Sequence, residues 1–230
     1  FWSILLSIIM KCSGPIRIDE GTEKERGRTH MNHWDEKFDD AEYIYGKEAN
    51  EWVKSVFDRR GHGKVAMLAE GEGRNAVYMA NLGYDVTAFD YSRVGLDKTR
   101  RLAQEAGVVV TTHLVDITET DALPQGEYDI SINVFGHVPS DGKEEMIKNL
   151  VGTVKPGGEI VFELYSKRQI EFQTGGPKDI HMLYDVEGLR HELEKYNVEI
   201  VTLKEEILRR NEGRMHQGKS AVIQGRMRKV

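Results

Sequence analysis

The chain has 230 residues, of which 39% are hydrophobic and 30% charged, and its net charge is −6 with an isoelectric point near 5.8. This length suits a single domain with a sizeable core, and the acidic balance disfavours a nucleic-acid groove, which usually carries a basic stripe. The single cysteine, Cys12, excludes a disulfide within one chain and is typical of a reducing compartment, so we expect a cytoplasmic protein.

Residues 1–30 look least like part of a folded domain. Residues 1–10 are mostly apolar, but a membrane-spanning helix needs about twenty such residues. No basic residue precedes this run, as one does in a signal peptide. The mixed charges of residues 19–28 are typical of disorder. We therefore expect a leader or disordered segment at 1–30, a folded domain at 31–230, and no membrane partner.

Strand and helix patterns alternate along the rest of the chain. Short apolar and β-branched runs predict seven strands, at 64–69, 84–89, 108–115, 128–135, 159–164, 199–208 and 221–228. Apolar residues at helical spacing predict helices at 47–59, 74–82, 93–106, 141–153 and 185–195. A long loop is expected at 166–184, and 209–219 is expected to connect the closing antiparallel pair. The alternation predicts a single doubly wound, Rossmann-like α/β domain with a seven-stranded, mostly parallel sheet and an antiparallel last strand.

The first predicted strand leads into a glycine turn and a helix start. The spacing Gly71-x-Gly73-x-x-Ala76 fits the dinucleotide fingerprint, in which backbone approaches a ligand closely at a helix N-terminus. Glu70 and Glu72, however, place two carboxylates in this turn, where like charge opposes a phosphate. A ligand with a sulfonium and an ammonium group suits the turn better. This favours S-adenosylmethionine over a nicotinamide dinucleotide.

Acidic residues end the second and third predicted strands. Asp90 follows Gly71 by about twenty residues, the spacing at which an acid accepts both ribose hydroxyls of a nucleoside cofactor. Asp116 ends the next strand. Both acids are predicted at the carboxyl edge of the sheet, where open α/β sheets bind their ligands.

These motifs, in this order, resemble those of the class I S-adenosylmethionine-dependent methyltransferases over residues 33–230. Within that class, three segments are similar to the small bacterial tellurite-resistance and thiopurine-type methyltransferases: Trp34-Asp35-Glu36-Lys37-Phe38, Gly73-Arg74-Asn75 and Thr174-Gly175-Gly176-Pro177. The chain departs from the class at Met67, near which an acidic residue is usual. Glu70 is expected to take over part of that residue's electrostatic role.

The resemblance implies a set of cofactor-binding residues. Asp116 is expected to bind the adenine amino group, and Ile117 to contact the adenine ring. The full set is Glu70, Gly71, Gly73, Asn75, Asp90, Tyr91, Asp116, Ile117 and Asn133.

Methyl transfer is an in-line displacement in which alignment and exclusion of water supply most of the catalysis. A general base is needed only where the nucleophile keeps its proton at neutral pH. The candidates near the ends of the fourth and fifth strands are His137, Glu163 and Tyr165, and the resemblance adds Glu212 and His216. Trp34, Tyr43 and Tyr45 are candidates for an aromatic lid over the sulfonium. No spacing of histidines indicates a metal site.

The acceptor is expected to be a small molecule, because no large recognition domain is present and no Asp/Asn-Pro-Pro-aromatic motif follows the fourth strand. The resemblance favours a thiol, a sulfide or a reduced chalcogen compound. The alternatives are O- or N-methylation of a small metabolite, a nicotinamide-dependent oxidoreductase, and a catalytically idle nucleoside-binding regulator. The sequence leaves monomer and homodimer open.

Overall fold

The structure is a computed structural model that describes residues 32–230, so the predicted leader at 1–30 lies outside the described residues. Its seven-stranded sheet has the order β3-β2-β1-β4-β5-β7-β6. The strands are β1 (Lys64–Leu68), β2 (Asp85–Asp90), β3 (Val110–Leu114), β4 (Tyr128–Val134), β5 (Val154–Tyr165), β6 (Val198–Glu212) and β7 (His216–Lys229). Neighbours from β3 to β5 pair in parallel, whereas β7 runs antiparallel to both β5 and β6. The predicted sheet, with its antiparallel last strand, is confirmed.

Within the described residues the α-helices are α1 (His33–Phe38), α2 (Glu51–Val56), α3 (Arg74–Asn81), α4 (Arg93–Ala106), α5 (Lys143–Gly152) and α6 (Val186–Leu193). The side chains of Asn32, Asn50, Ser92 and Asp185 accept the first backbone N–H groups of α1, α2, α4 and α6. The helix expected at 47–59 is shorter because Asn50 starts it and the chain leaves the helical conformation at Phe57. None of these helices is long and apolar enough to cross a bilayer.

The central strands are buried on both faces, which explains their nearly continuous apolar runs. On β1, Ala66 and Leu68 face a layer that contains α5 and α6, while Val65 and Met67 face α2, α3 and α4. The alternation of side chains along the strand therefore divides the core into two layers. The sheet therefore lies between two apolar layers, and polar groups can stand at its carboxyl edge, outside these layers.

The closing hairpin is longer than predicted. The connection expected at 209–219 is reduced to residues 213–215, because β6 continues to Glu212 and β7 begins at His216. Arg210 pairs with Gly218 and Glu212 with His216, so Arg210, Glu212 and His216 lie on one face of the sheet. Their side chains are buried or nearly buried there. The polar composition of residues 209–219 therefore belongs mostly to paired strand residues and not to a loop.

Candidate active site

The carboxyl ends of β1 and β4 form the point where the strand order reverses, the usual ligand site of an open α/β sheet. Two non-glycine residues follow these strands in the left-handed region: Ala69 with φ 52° and Phe135 with φ 57°. A Cβ added to Gly136 would lie only 2.6 Å from the Cβ of Ala69. Left-handed backbone at two non-glycine residues, together with the close approach of the two loops that follow β1 and β4, is typical of a functional site.

The glycine loop between β1 and α3 needs glycine at two positions. Gly71 has φ 64° and Gly73 has φ 92°. A Cβ added to Gly73 would lie 2.7 Å from the Cα of Thr99, so the loop packs directly on the backbone of α4. From the other side, the ring of Phe38 in α1 covers Gly71, at 3.0 Å from the position of an added Cβ.

Glu70 is already bound to its own helix. Its Oε1 accepts the backbone N–H groups of Asn75 and Ala76 at 2.9 and 2.8 Å, at the N-terminus of α3. Burial raises the pKa of Glu70 to about 7. The N–H groups on which a dinucleotide fold places its pyrophosphate are therefore occupied by a side chain of the protein.

Glu72 is also paired. It accepts Lys98 Nζ at 2.7 Å and the backbone N–H groups of Ile44 and Tyr45 at 3.2 and 3.3 Å, and both Glu72 and Lys98 are buried. Both carboxylates predicted in the turn are therefore paired within the protein. Glu70 holds the start of α3, and Glu72 anchors the segment before α2 over the loop.

Asp90, at the end of β2, lies beside the glycine loop. Its Oδ2 accepts the backbone N–H of Gly71 and its Oδ1 that of Ser92, each at 2.7 Å. Burial raises the pKa of Asp90 to about 6. Each carboxylate oxygen keeps a further lone pair for a hydroxyl donor. The neighbouring Tyr91 side chain is exposed.

Asp116, just after β3, is half-buried. Its Oδ1 accepts the backbone N–H and the hydroxyl of Thr118 at 2.9 and 2.6 Å, and its Oδ2 forms no hydrogen bond with any described residue. The next side chain, Ile117, is buried. Asp116 therefore has an acceptor atom available for a ligand.

Two of the predicted cofactor residues, Asn133 and Asn75, form hydrogen bonds within the protein. Asn133 is fully buried; its Nδ2 donates to Met146 Sδ at 3.3 Å and its Oδ1 accepts the Gly136 N–H at 2.9 Å. Asn75 Oδ1 accepts the Asn50 N–H at 2.8 Å. These amides hold the turn after β4 and the start of α2, and their contact with the cofactor stays a prediction.

Three of the predicted catalytic residues meet around Phe135. The centroid of its ring lies 4.4 Å from that of Tyr165, 4.6 Å from that of His216 and 6.4 Å from that of His137. Tyr45 lies against His216 at 4.5 Å between ring centroids. This aromatic cluster joins the ends of β4 and β5, the hairpin and the segment before α2.

His137 has no free ring nitrogen. Its Nε2 accepts the backbone N–H of Tyr165 at 2.9 Å, and its Nδ1 lies 3.0 Å from the carbonyl oxygen of Phe135, to which the corresponding tautomer donates. Burial lowers the pKa of His137 to about 4. This arrangement disfavours His137 as a general base, because both ring nitrogens are used to hold the ends of β4 and β5 together.

Glu163 belongs to a set of buried or nearly buried polar side chains, called here the polar ring: Arg74, Glu212, Arg210, Glu163, Asn50 and Asn75. The set closes through the backbone, because Asn75 Oδ1 accepts the Asn50 backbone N–H and Asn75 follows Arg74 in the chain. Arg74 Nη1 donates to Glu212 at 2.7 Å, Arg210 bridges Glu212 and Glu163, and Asn50 Nδ2 donates to Glu163 at 2.6 Å. Gln224 Nε2 donates to the second oxygen of Glu163 at 2.8 Å. Glu163 has no exposed surface, and its carboxylate accepts hydrogen bonds from Asn50, Arg210 and Gln224, all of them side chains of the protein.

His216 is the candidate whose ring keeps a free nitrogen. Its buried Nδ1 has no hydrogen-bond partner among the described residues and lies 3.7 Å from Glu212 Oε2. Burial lowers the pKa of His216 to about 4, so the ring is neutral at physiological pH. The hydroxyl of Tyr165 is likewise buried and unpartnered, and burial raises its pKa. These two polar atoms are the ones that the aromatic cluster leaves unsatisfied.

The donor and acceptor chemistry of the site fits S-adenosylmethionine. The ribose hydroxyls and the adenine amino group are donors, and Asp90 and Asp116 offer carboxylate acceptors beside the loop. A pyrophosphate would instead compete with Glu70 for the N-terminus of α3. Among residues 32–230 no three His, Cys, Asp or Glu side chains lie close enough together to hold a metal ion. Fold and site together define a Rossmann-like domain whose carboxylate groups suit a nucleoside ligand better than a pyrophosphate.

Comparison with known proteins agrees with this definition. The methyltransferase domain family matches residues 65–158. The probable S-adenosyl-L-methionine-dependent methyltransferase TehB of Haemophilus influenzae is 28% identical over 95 residues, which are 41% of this chain and 33% of TehB. The match thus spans about a third of the length of that relative.

Solved structures show the same fold at low identity. A protein of echinomycin biosynthesis that converts a disulfide bond into a thioacetal group aligns with a TM-score of 0.65 and 19% identity, over 81% of this chain and 82% of that one. H. influenzae TehB aligns with a TM-score of 0.61 and 19% identity, over 79% of this chain and 63% of TehB. These similarities support the class that the motifs predicted, the class I S-adenosylmethionine-dependent methyltransferases.

Proposed function

We propose that the protein transfers a methyl group from S-adenosylmethionine to a small soft nucleophile: a thiol, a sulfide or a reduced chalcogen compound. The choice of cofactor rests on one observation: the carboxylate of Glu70 accepts the backbone N–H groups at the N-terminus of α3. With those N–H groups used, the ligand must be one that Asp90 and Asp116 recognise through hydroxyl and amino donors. This requirement disfavours the nicotinamide alternative.

When bound, S-adenosylmethionine supplies an electrophilic methyl group on a positively charged sulfur. The residues around Phe135 would align the acceptor with that methyl group and exclude water. Aromatic rings also make favourable contacts with polarisable sulfur. The cluster contains Tyr45, Phe135, Tyr165 and His216.

The absence of a charged base supports a soft acceptor. Within residues 32–230, both His137 and Glu163 are saturated by partners in the protein, which leaves a neutral histidine as the only predicted catalytic residue able to take a proton. A thiol with a pKa of ~8.5 or below is already partly deprotonated in solution, so its methylation needs little general-base catalysis. The resemblance of the sequence motifs to the tellurite-resistance and thiopurine-type methyltransferases favours the same acceptor class.

A second candidate function is O- or N-methylation of a small metabolite with His216 as general base. The unpartnered Nδ1 of His216, next to Glu212, is the observation that favours it. A hydroxyl acceptor holds its proton at neutral pH and would need such a base.

A screen of thiols, sulfide, tellurite, phenols and amines for release of S-adenosylhomocysteine tests the proposal. With a thiol acceptor above its pKa, His216→Ala is expected to keep the turnover within a few-fold of wild type, because the nucleophile is already ionised. With a hydroxyl acceptor the same variant would lose about 10²–10⁴-fold. His191→Ala, at an exposed position of α6, is the matched control. Turnover confined to phenols or amines would contradict the proposed acceptor class.

A further inference from the structure

Lys37, on α1, is a cation beside the glycine loop that pairs with no carboxylate in the described part of the chain. Its Nζ lies 4.5 Å from the ring centroid of Trp34 and 5.3 Å from that of Tyr45. The next residue, Phe38, covers Gly71. Burial lowers the pKa of the Lys37 ammonium, although Glu72 nearby opposes this shift. A partly buried ammonium held by two aromatic rings and no anion is poorly compensated.

Two other basic side chains near the loop, Lys98 and Arg74, are already paired with carboxylates of the protein. Lys98 Nζ lies 2.7 Å from Glu72, and both side chains are almost completely buried. Arg74 Nη1 lies 2.7 Å from Glu212 inside the polar ring. Lys37 is thus the basic side chain near the loop that keeps its charge available for a ligand.

The cofactor brings an anion that this loop does not otherwise accommodate. The methionine part of S-adenosylmethionine carries a carboxylate, which needs a cation or backbone N–H donors. The start of α3 would be the natural donor, but Glu70 already accepts the N–H groups of Asn75 and Ala76. A second carboxylate at this helix end would meet like charge.

We propose that Lys37 binds the carboxylate of the cofactor's methionine moiety, with the rings of Trp34 and Tyr45 holding the ammonium at the mouth of the site. This inference rests on the proposed function. It gives the short helix α1 a direct role in cofactor recognition. Phe38 packs this helix onto the glycine loop, and Asp35 attaches it to α4. The Asp35 contacts are with the Ser92 hydroxyl at 2.6 Å and the Val94 N–H at 3.1 Å.

Calorimetric titration with two ligands tests the proposal. S-adenosylhomocysteine carries the amino-acid carboxylate, and 5′-methylthioadenosine lacks the whole amino acid. Lys37→Met, which keeps the apolar stem, is expected to raise the Kd of S-adenosylhomocysteine by about 10- to 100-fold, the effect of one charge-assisted hydrogen bond. The Kd of 5′-methylthioadenosine should stay within about twofold of wild type, and Lys37→Arg should retain most of the affinity for S-adenosylhomocysteine.

Lys47→Met is the matched control, because Lys47 also lies over an aromatic ring, 4.7 Å from the Tyr43 centroid, but pairs with Glu105. It should leave both affinities unchanged. An unchanged Kd of S-adenosylhomocysteine in Lys37→Met would overturn the assignment, and so would an equal loss for both ligands, which indicates a structural effect. If the wild-type protein bound neither ligand, the proposed function itself would fail.

Discussion

Arg210→Met is expected to lower the free energy of unfolding by about 3–5 kcal/mol, the cost of breaking a buried ion pair by removing one partner. Arg210 bridges Glu163, which has no exposed surface, and Glu212, which is nearly as buried. Without the guanidinium, Glu163 keeps only the amides of Asn50 and Gln224 as partners. Urea denaturation followed by circular dichroism measures the change.

Arg226→Met is the matched control on the neighbouring strand. Arg226 also pairs with a glutamate, Glu159, at 2.9 Å, but the two side chains are 36% and 25% exposed. Because water screens such a pair, its loss should cost about 1 kcal/mol or less. Equal costs for the two variants would show that the polar ring adds no more stability than a surface ion pair.

Asp90→Asn is expected to weaken binding of S-adenosylhomocysteine by about 1–3 kcal/mol, through loss of charge-assisted hydrogen bonds to the ribose hydroxyls. The substitution preserves the shape of the side chain but removes acceptor capacity, which Gly71 and Ser92 also use. Asp85→Asn, at the exposed start of the same strand, should leave the affinity unchanged. Calorimetry on the two variants decides whether Asp90 belongs to the site.

The same carboxyl group predicts a pH dependence of binding. Burial raises the pKa of Asp90 to about 6, and hydroxyl donors bind its ionised form better than its protonated form. The affinity is therefore fully present above about pH 7 and is lost as the pH falls through 6, by about tenfold at pH 5. Glu70 also titrates in this range, so the comparison with Asp90→Asn isolates the Asp90 contribution. A wild-type profile identical to that of Asp90→Asn would contradict the assignment.

The backbone frame was predictable because it follows local rules. Residues 65–68 are apolar at consecutive positions because both faces of β1 are covered, and the positive φ of Gly71 and Gly73 explains why glycine stands there. Asp90 could be placed beside the loop because a strand and its parallel neighbour end at the same edge of a sheet. Each of these inferences needs only the period of a strand and the geometry of a turn.

The partners of the site residues were not predictable in the same way. His137 follows β4, as expected, but its bonds to Phe135 and Tyr165 depend on how two strand ends meet in space. The polar ring joins Asn50 to Glu163 and Arg74 to Glu212, pairs separated by more than 100 residues. One local signal existed: Arg210 and Glu212 alternate with period two, which is typical of one face of a strand.

Calorimetric titration of the wild-type protein with S-adenosylhomocysteine and, in parallel, with NADH tests the central claim most directly. If Glu70 closes the N-terminus of α3 to phosphate and Asp90 binds a ribose, S-adenosylhomocysteine should bind with one site per chain, and NADH should give no binding heat. Tight binding of NADH together with no response to S-adenosylhomocysteine would contradict the account.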